Sequence, residues 1–369
     1  MPDTSKPARP GRAWRGPLRP RAADRRPQTA DRRPQTADRR PQSLVTAIAL
    51  RGATRPGARI VREPGAVAQD DPCGLPGRDD KVASRRAGSV GSAAATARPR
   101  GGHHTVHIDL SGRTALVTGS TQGIGYAIAA GLARAGALVA VNGRRSESVA
   151  EAVERLRGET GSDGLVAAPG DLASEDGTRG VLDVLPAVDI LVNNLGIFGA
   201  TPPLEIEDAE WRRYFEVNVL SAARLIRSYL PGMKERGWGR IQSIASDSAI
   251  VIPAEMIHYG MTKTALLALT RGFAKDAAGT GVTVNSVIAG PTHTAGVEDF
   301  VYQLVSRDLP WEEAQHEFMI KHRPQSLVQR LIEPEEIANM VVYLSSPQAS
   351  ATTGGALRAD GGYVDSILP

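Results

Sequence analysis

The 369-residue chain contains a single cysteine, Cys73, which excludes a disulfide framework and any metal site built from several cysteines. No run of about 18 consecutive apolar residues occurs, so we expect no membrane-spanning segment. His103, His104 and His107 lie close together in sequence, but the surrounding residues offer no second shell that would orient metal ligands. We therefore predict no metal site, no membrane association and a cytoplasmic location.

Large apolar side chains are scarce in residues 1–108. This segment holds one of the 16 aromatic residues, Trp14, but 13 of the 25 prolines. It also carries 22 of the 44 Lys and Arg residues and only 9 of the 40 acidic residues, so the remainder of the chain is acidic. Such a segment cannot bury enough apolar surface to offset the entropy of folding. We predict a disordered basic extension over residues 1–108 and one folded domain over residues 109–369.

The extension contains a seven-residue repeat, ADRRPQT, which begins at Ala23 and Ala30 and recurs at Ala37 with a final Ser. A proline in every repeat prevents a continuous helix, which indicates low complexity and not a solenoid. A basic arm for nucleic acid would need aromatic residues that stack on bases, and a transit peptide would contain few acids. A third interpretation is a passive extension, translated from a start upstream of the domain. We expect no nucleic-acid partner.

The pattern changes at Gly112, where short apolar runs begin to alternate with helical periodicity. Seven runs are predicted as strands, over residues 114–118, 137–141, 165–168, 189–192, 239–244, 282–288 and 355–359. Helices are predicted over residues 124–135, 146–158, 211–233, 259–277 and 334–344, with Gly136 ending the first and Ser146 capping the second. This order is typical of a single doubly wound, Rossmann-type α/β domain with a seven-stranded parallel sheet, which binds ligands at the carboxyl ends of its strands.

A glycine-rich loop follows the first predicted strand and opens the first helix. Glycines at such a junction let backbone N–H groups approach a pyrophosphate, where the helix dipole favours anions. The spacing is G-x-x-x-G-x-G. The predicted cofactor-binding residues of this loop are Gly119, Ser120, Thr121, Gln122, Gly123, Ile124 and Gly125.

The second predicted strand is followed by Arg144 and Arg145 and by no acidic residue. An acid at this point selects the free 2′-hydroxyl of NAD, whereas arginine accommodates the 2′-phosphate of NADP. The sequence therefore favours NADP(H) over NAD(H), with NAD(H) still possible if both arginines are merely solvated.

Tyr259 and Lys263 are four residues apart on a predicted helix, so both project from one face. An ammonium beside a phenol stabilises the phenolate and lowers its pKa, which suits the tyrosine for proton transfer. Ser246 ends a strand thirteen residues before Tyr259 and can hold a substrate oxygen. Together with the glycine loop, this set predicts an oxidoreductase acting on a small carbonyl compound or secondary alcohol.

Over about residues 110–365 these motifs, in this order, resemble the short-chain dehydrogenase/reductase family. The match also includes Asp171-Leu172, the run Asn193-Asn194-Leu195-Gly196, Asn218 within Val-Asn-Val, and Gly290-Pro291-Thr292. The resemblance implies catalytic roles for Asn218, Ser246, Tyr259 and Lys263, with Asn218 holding a water of a proton relay. It further implies cofactor contacts for Tyr259 and Lys263 and for Asp171, Leu172, Asn194, Gly196, Pro291 and Thr292. It also implies a homodimer or homotetramer and, as one specific activity, reduction of 3-oxoacyl thioesters.

The sequence departs from the family pattern at Leu195, where alanine is usual, and at Gln122, where NADP-preferring members often carry a base. Residues 292–333 are predicted to be a substrate lid whose apolar residues either shape the pocket or pack against the protein. His258 is expected on a helix surface, and His293 is a minor candidate for a cofactor contact. Two alternatives remain open: a catalytically silent scaffold or cofactor sensor on this fold, and an NAD-dependent alcohol dehydrogenase.

Overall fold

The computed structural model describes residues 107–367, so the predictions for residues 1–106 fall outside the described part of the chain. Within the described residues, the seven predicted strands all form, each within two residues of its expected bounds. They are β1 (Thr114–Val117), β2 (Leu138–Val141), β3 (Leu165–Ala167), β4 (Ile190–Asn193), β5 (Gly239–Ser246), β6 (Val282–Ala289) and β7 (Ala356–Ala359). They pair in parallel in the order β3-β2-β1-β4-β5-β6-β7. The doubly wound parallel sheet predicted from the sequence is confirmed.

Helices cover both faces of this sheet. They are α1 (Gly123–Arg134), α2 (Ser146–Thr160), α3 (Glu175–Val184), α4 (Asp208–Phe215), α5 (Ser221–Glu235), α6 (Ile257–Asp276), α7 (Ala295–Leu304), α8 (Trp311–His322) and α9 (Pro334–Ser345). One buried apolar cluster joins the sheet to α1, α2 and α9, and a second joins it to α3, α5 and α6. The short strands β1, β2 and β4 consist mainly of apolar residues, whereas the longer strands β5 and β6 contain several polar residues and are still buried along their whole length. This burial follows from the helices that cover both faces of the sheet.

The predicted helix over residues 211–233 is interrupted. A π-helical turn, Glu216–Leu220, separates α4 from α5, and the backbone remains helical through it. The hydrophobic period of the sequence does not register one wider turn, which is why the prediction gave one helix. Such turns are often found at functional sites, and this one contains Asn218.

The two helix ends predicted from single residues have different outcomes. Gly136 follows α1 with φ of 92°, a conformation that glycine adopts at low cost, which confirms its role at this end. Ser146 does not cap α2, because it is the first helical residue and the capping position belongs to Arg145 without a side-chain bond. The helix passes Gly158 and ends at Thr160, where Gly161 adopts φ of 66°.

The lid predicted from the sequence folds into α7 and α8, which lie between β6 and α9. A third apolar cluster, with Phe300, Phe318 and Met319 buried at its centre, holds these two helices together. A single parallel bridge between Thr292 and Ile332 closes the base of the segment. Among residues 107–367, no helix has the length and apolar character needed to cross a membrane.

Candidate active site

The carboxyl ends of β1, β4, β5 and β6 open into a cavity of about 320 Å³ that the lid covers. Most of the predicted site residues line it. They are Gly119, Gln122, Gly123, Ile124, Gly125, Asn194, Gly196, Ser246, Tyr259, Lys263, Pro291 and Thr292. Residues distant in sequence are therefore brought to one edge of the sheet, as expected for an open parallel sheet.

Hydrogen bonds from neighbouring strand ends hold the glycine-rich loop. The Asn194 side-chain amide donates to the carbonyl oxygens of Thr118 (2.9 Å) and Gly119 (3.0 Å). The Thr118 hydroxyl accepts from the backbone N–H groups of Asn194 (2.9 Å) and Leu195 (2.8 Å). Gly119 and Gly123 have φ of 60° and 57°, values that other residues rarely adopt. These contacts fix the loop at the amino end of α1, where an anion is favoured.

The loop fits a bound pyrophosphate because it has no side chain where the backbone must be approached closely. A Cβ atom at Gly125 would overlap the Asn194 side-chain nitrogen and the Gly119 carbonyl oxygen. Ser120 lies beneath the loop, where its hydroxyl donates to Val117 O (2.7 Å) and accepts from Asn142 N (2.9 Å). The side chain of Ser120 thus braces the loop and lines none of the cavities described here.

Gly125→Ala is expected to destabilise the protein by about 1–3 kcal/mol, as overpacking of a filled space typically does. The added methyl group would displace Asn194 and with it the loop, so NADPH affinity should fall as well. Thermal unfolding and cofactor titration measure the two effects. Gly158→Ala is the matched control, because a Cβ there meets no atom within 4 Å on helix α2. An unchanged melting temperature and NADPH affinity in Gly125→Ala would contradict the role given to this glycine.

A second cavity extends from the glycine loop across the ends of β2 and β3. Asp171, Leu172 and Arg144 line it together with Thr121 of the loop, and Gly119, Gln122, Asn194 and Gly196 line both cavities. The Asp171 carboxylate accepts from the backbone N–H of Ala173 (3.1 Å), and Leu172 is buried. Because the two cavities share these four lining residues, they lie side by side at the amino end of α1.

A third cavity is basic and adjoins the second at Arg144. It is lined by Arg144, Arg145 and Arg155, with Ser148, Glu151, Thr121 and Gln122. Arg155 was not anticipated from the sequence. Its guanidinium donates to Thr121 O (2.8 Å) and stacks over the Tyr126 ring, so it is tied to the loop. Arg145 donates to the Ser148 hydroxyl (2.8 Å). Arg155 faces the loop because α2 packs beside it, and the spacing of residues in the sequence does not indicate this packing.

Ser246, Tyr259 and Lys263 meet in the first cavity. Lys263 is buried, donates to Ile244 O (2.8 Å) and places its ammonium 5.6 Å from the centre of the Tyr259 ring. Burial lowers the pKa of Lys263 to about 8, which leaves the amine mostly protonated at pH 7. Burial raises the pKa of Tyr259, and the Ser246 hydroxyl opposes that rise. The sequence predicted that Lys263 would lower the pKa of Tyr259. The structure gives a raised pKa instead, because the phenol is buried.

Asn218 is buried and lines none of these three cavities. Its side chain accepts from Ile197 N (2.8 Å) and donates to Ile197 O (3.0 Å) and to the Thr262 hydroxyl (3.0 Å). Thr262 in turn donates to Tyr259 O (2.7 Å). The carboxamide of Asn218 therefore connects the π-helical turn to the helix that carries Tyr259.

Two histidines lie away from the cavity. His258 was expected on a helix surface, but it is fully buried, with its ring 4.1 Å from that of Tyr214 and 6.1 Å from that of Trp211. The prediction was wrong because α4 packs on this face of α6. Burial lowers the pKa of His258. His293 stacks on Trp311 and bonds to Glu298 (2.7 Å) within the lid.

Comparisons with known proteins agree with this geometry. Residues 119–364 match the family model described as enoyl-(acyl carrier protein) reductase. The chain is 49% identical over 262 residues to the uncharacterized oxidoreductase YvaG of Bacillus subtilis, covering 71% of this chain and 99% of that protein. It is 34% identical to D-beta-hydroxybutyrate dehydrogenase of Cupriavidus necator, covering 69% and 99%. L-sorbose reductase of Gluconobacter frateurii, solved with NADPH and L-sorbose, superposes with a TM-score of 0.67 at 30% identity, covering 71% and 100%.

Proposed function

The chain belongs to the short-chain dehydrogenase/reductase family and is an oxidoreductase that interconverts CH–OH and C=O groups with NAD(P); we propose that it reduces a small carbonyl compound with NADPH. A single observation carries the proposal. Ser246, Tyr259 and Lys263 line the same cavity as the glycine-rich loop, so an oxygen at the serine and a cofactor on the loop would meet there.

The chain supplies the proton and the oxygen contacts of the proposed reaction. When bound, NADP(H) would supply or accept the hydride. The Ser246 hydroxyl, which donates to Asp247 in this structure, would turn its proton to the substrate oxygen and polarise it. The Tyr259 phenol donates its proton in reduction or removes one in oxidation. The Lys263 ammonium, 5.6 Å from the centre of the Tyr259 ring, would stabilise the phenolate that remains after donation. Asn218 keeps the backbone of Tyr259 in place through Thr262.

The preference for NADPH over NADH rests on the basic third cavity. Arg144 belongs to both the second and the third cavity, and Arg145 and Arg155 lie beside it. A guanidinium matches the geometry of a phosphate group, and the end of β2 is the place where a 2′-phosphate would be recognised. Asp171 also lines the second cavity, but it follows β3 and not β2, and its carboxylate accepts from the backbone N–H of Ala173 in its own loop.

The proposal extends to assembly and location. Phe215 and Met261 are exposed apolar side chains on α4 and α6, and burying such surfaces between copies of the chain is a common route to a symmetric homo-oligomer. We propose a dimer or tetramer in the cytoplasm. Light scattering of the purified protein should give a mass at least twice the 39.0 kDa of one chain, and a mass of one chain would contradict the assembly.

Parallel assays with NADPH and NADH test the proposed function. Fluorescence titration should give tighter binding of NADPH, and NADPH should be consumed in the presence of simple ketones. Binding without reduction of any ketone would favour the alternative of a silent cofactor-binding scaffold. A preference for NADH would favour the NAD-dependent alcohol dehydrogenase and would mean that Arg144 and Arg145 serve only as solvated surface charges.

A further inference from the structure

The substrate end of the first cavity contains two charged residues that the proposed chemistry does not use. Asp247 directly follows Ser246 at the end of β5, and Arg323 follows α8 at the edge of the lid. Both line the cavity, beside the apolar side chains of Phe198, Met256 and Phe318. The sheet and the lid thus present one acidic and one basic group to the same space, next to the serine that would hold the reacting oxygen.

Each of these groups has a buried polar atom without a protein partner. Asp247 is 5% exposed, and its Oδ1 accepts from the Ser246 hydroxyl (2.8 Å) and the Ser248 backbone N–H (2.7 Å). Its Oδ2 is buried and accepts no hydrogen bond, and the Nε of Arg323 is buried and donates none. A buried acceptor or donor left unpaired is costly, so such atoms are normally satisfied by a ligand or an ordered water.

The two groups influence each other without forming a contact pair. Among residues 107–367, no carboxylate oxygen lies within 4.0 Å of the Arg323 guanidinium. Burial nevertheless raises the pKa of Asp247, and Arg323 is the largest influence that opposes this rise. The geometric link between the two residues is that both line one cavity, each with a buried polar atom that has no protein partner, so a ligand in that cavity can approach both.

The charges on the two sides restrict what that group can be. A carboxylate beside Asp247 would meet a like charge, and an ammonium beside Arg323 would do the same. A hydroxyl is uncharged, and it donates one hydrogen bond and accepts others. It can donate to Asp247 Oδ2 and accept from Arg323 Nε–H at the same time.

We propose that the cavity selects a hydroxylated carbonyl compound, whose hydroxyl near the reacting carbonyl bridges Asp247 and Arg323. This assignment rests on the proposed function, since it names the substrate class of the same site. Apolar contacts from Phe198, Met256 and Phe318 cover the remaining carbon chain. We place the hydroxyl one or two carbons from the carbonyl, because the Asp247 carboxylate lies within hydrogen-bond distance (2.8 Å) of the Ser246 hydroxyl that would hold the carbonyl oxygen.

Matched ketones of similar size test the proposal on the full-length protein with NADPH. Hydroxyacetone is compared with butan-2-one, and 4-hydroxybutan-2-one is compared with pentan-2-one and with acetoacetate. In at least one of the two comparisons, kcat/KM should be about 10- to 100-fold higher for the hydroxylated ketone than for its alkyl partner, the range expected for hydrogen bonds to charged groups. Equal values in both comparisons would overturn the hydroxyl assignment while leaving the proposed function intact. A preference for acetoacetate would overturn it in favour of a carboxylate read by Arg323.

Two substitutions locate the preference. Asp247→Asn keeps the oxygen that accepts from Ser246 and replaces the other oxygen by a donor. Arg323→Met removes the Nε donor. Each substitution should reduce the ratio of kcat/KM for the hydroxylated ketone to that for its alkyl partner towards one. Arg330→Met is the matched control, because Arg330 pairs with Glu336 outside the cavity and its loss should leave the ratio unchanged. A ratio retained by both cavity variants would overturn the proposal. Failure of the wild-type protein to reduce any ketone while it binds NADPH would instead contradict the proposed function itself.

Discussion

Tyr259→Phe is expected to lower kcat for ketone reduction by about 10²- to 10⁴-fold, the usual contribution of a positioned general acid. The substitution removes the phenol hydroxyl and keeps the ring, which packs edge-on against Phe198 at 6.2 Å. NADPH affinity should change little, because the loop contacts and the basic cavity remain intact. Steady-state rates measure the first effect, and fluorescence titration measures the second.

Tyr302→Phe is the matched control for this result. Tyr302 lies in the lid, contacts Trp311 at 5.7 Å between ring centres and does not line the cavity. It loses the same hydroxyl group, and its kcat should stay within about twofold of the wild-type value, as expected for a group outside the chemistry. A Tyr259→Phe variant that retains near-normal kcat would remove the acid/base role from this residue.

Arg144→Ala is expected to weaken NADPH binding by about 10- to 100-fold while NADH binding changes little. The loss corresponds to about 1.5–3 kcal/mol, typical of hydrogen bonds to a charged group. Arg144 lies where the second and third cavities meet, so its guanidinium would contact the 2′-phosphate that only NADPH carries. Titration of both cofactors gives the ratio of dissociation constants directly.

The control for Arg144 lies on α2. Arg157 pairs with Glu154 on the outer side of that helix and lines none of the cavities described here, so Arg157→Ala should leave both affinities unchanged. If Arg144→Ala weakens NADPH and NADH equally, Arg144 does not read the 2′-phosphate. Arg155→Ala should add to the loss for NADPH, because Arg155 both lines the cavity and holds the loop at Thr121.

The sheet could be predicted because its signals are local. Short buried strands such as β1, β2 and β4 appear as apolar runs, and Gly136 marks the end of α1 with a positive φ. The end of α2 was predicted near Gly158 and lies at Thr160, before Gly161. The predictions that were wrong depend on packing. The face of α6 that carries His258 is buried only because α4 lies on it. The π-helical turn at Glu216–Leu220 is too short to alter the hydrophobic periodicity from which helices are predicted.

The candidate site likewise has features that local sequence spacing predicts and features that depend on packing. Ser246, Tyr259 and Lys263 could be selected from their order and spacing, since a strand end and one helix face place them together in any sheet of this type. The upward shift of the Tyr259 pKa could not be predicted from the sequence, because burial depends on atoms contributed by distant segments. Arg155 likewise became part of the site only when α2 packed beside the glycine loop.

By itself, the sequence determined the order of strands and helices and the glycine loop, and it supplied the set of side chains that we propose to react, because periodicity, positive φ and fixed spacing are properties of neighbouring residues. Only the tertiary structure decided which charges share the cavity. Asp247 comes from β5 and Arg323 from the lid, and no local pattern connects them. They line the same cavity because the lid folds back over the strand ends, and the selectivity that we propose for the pocket depends on this long-range packing.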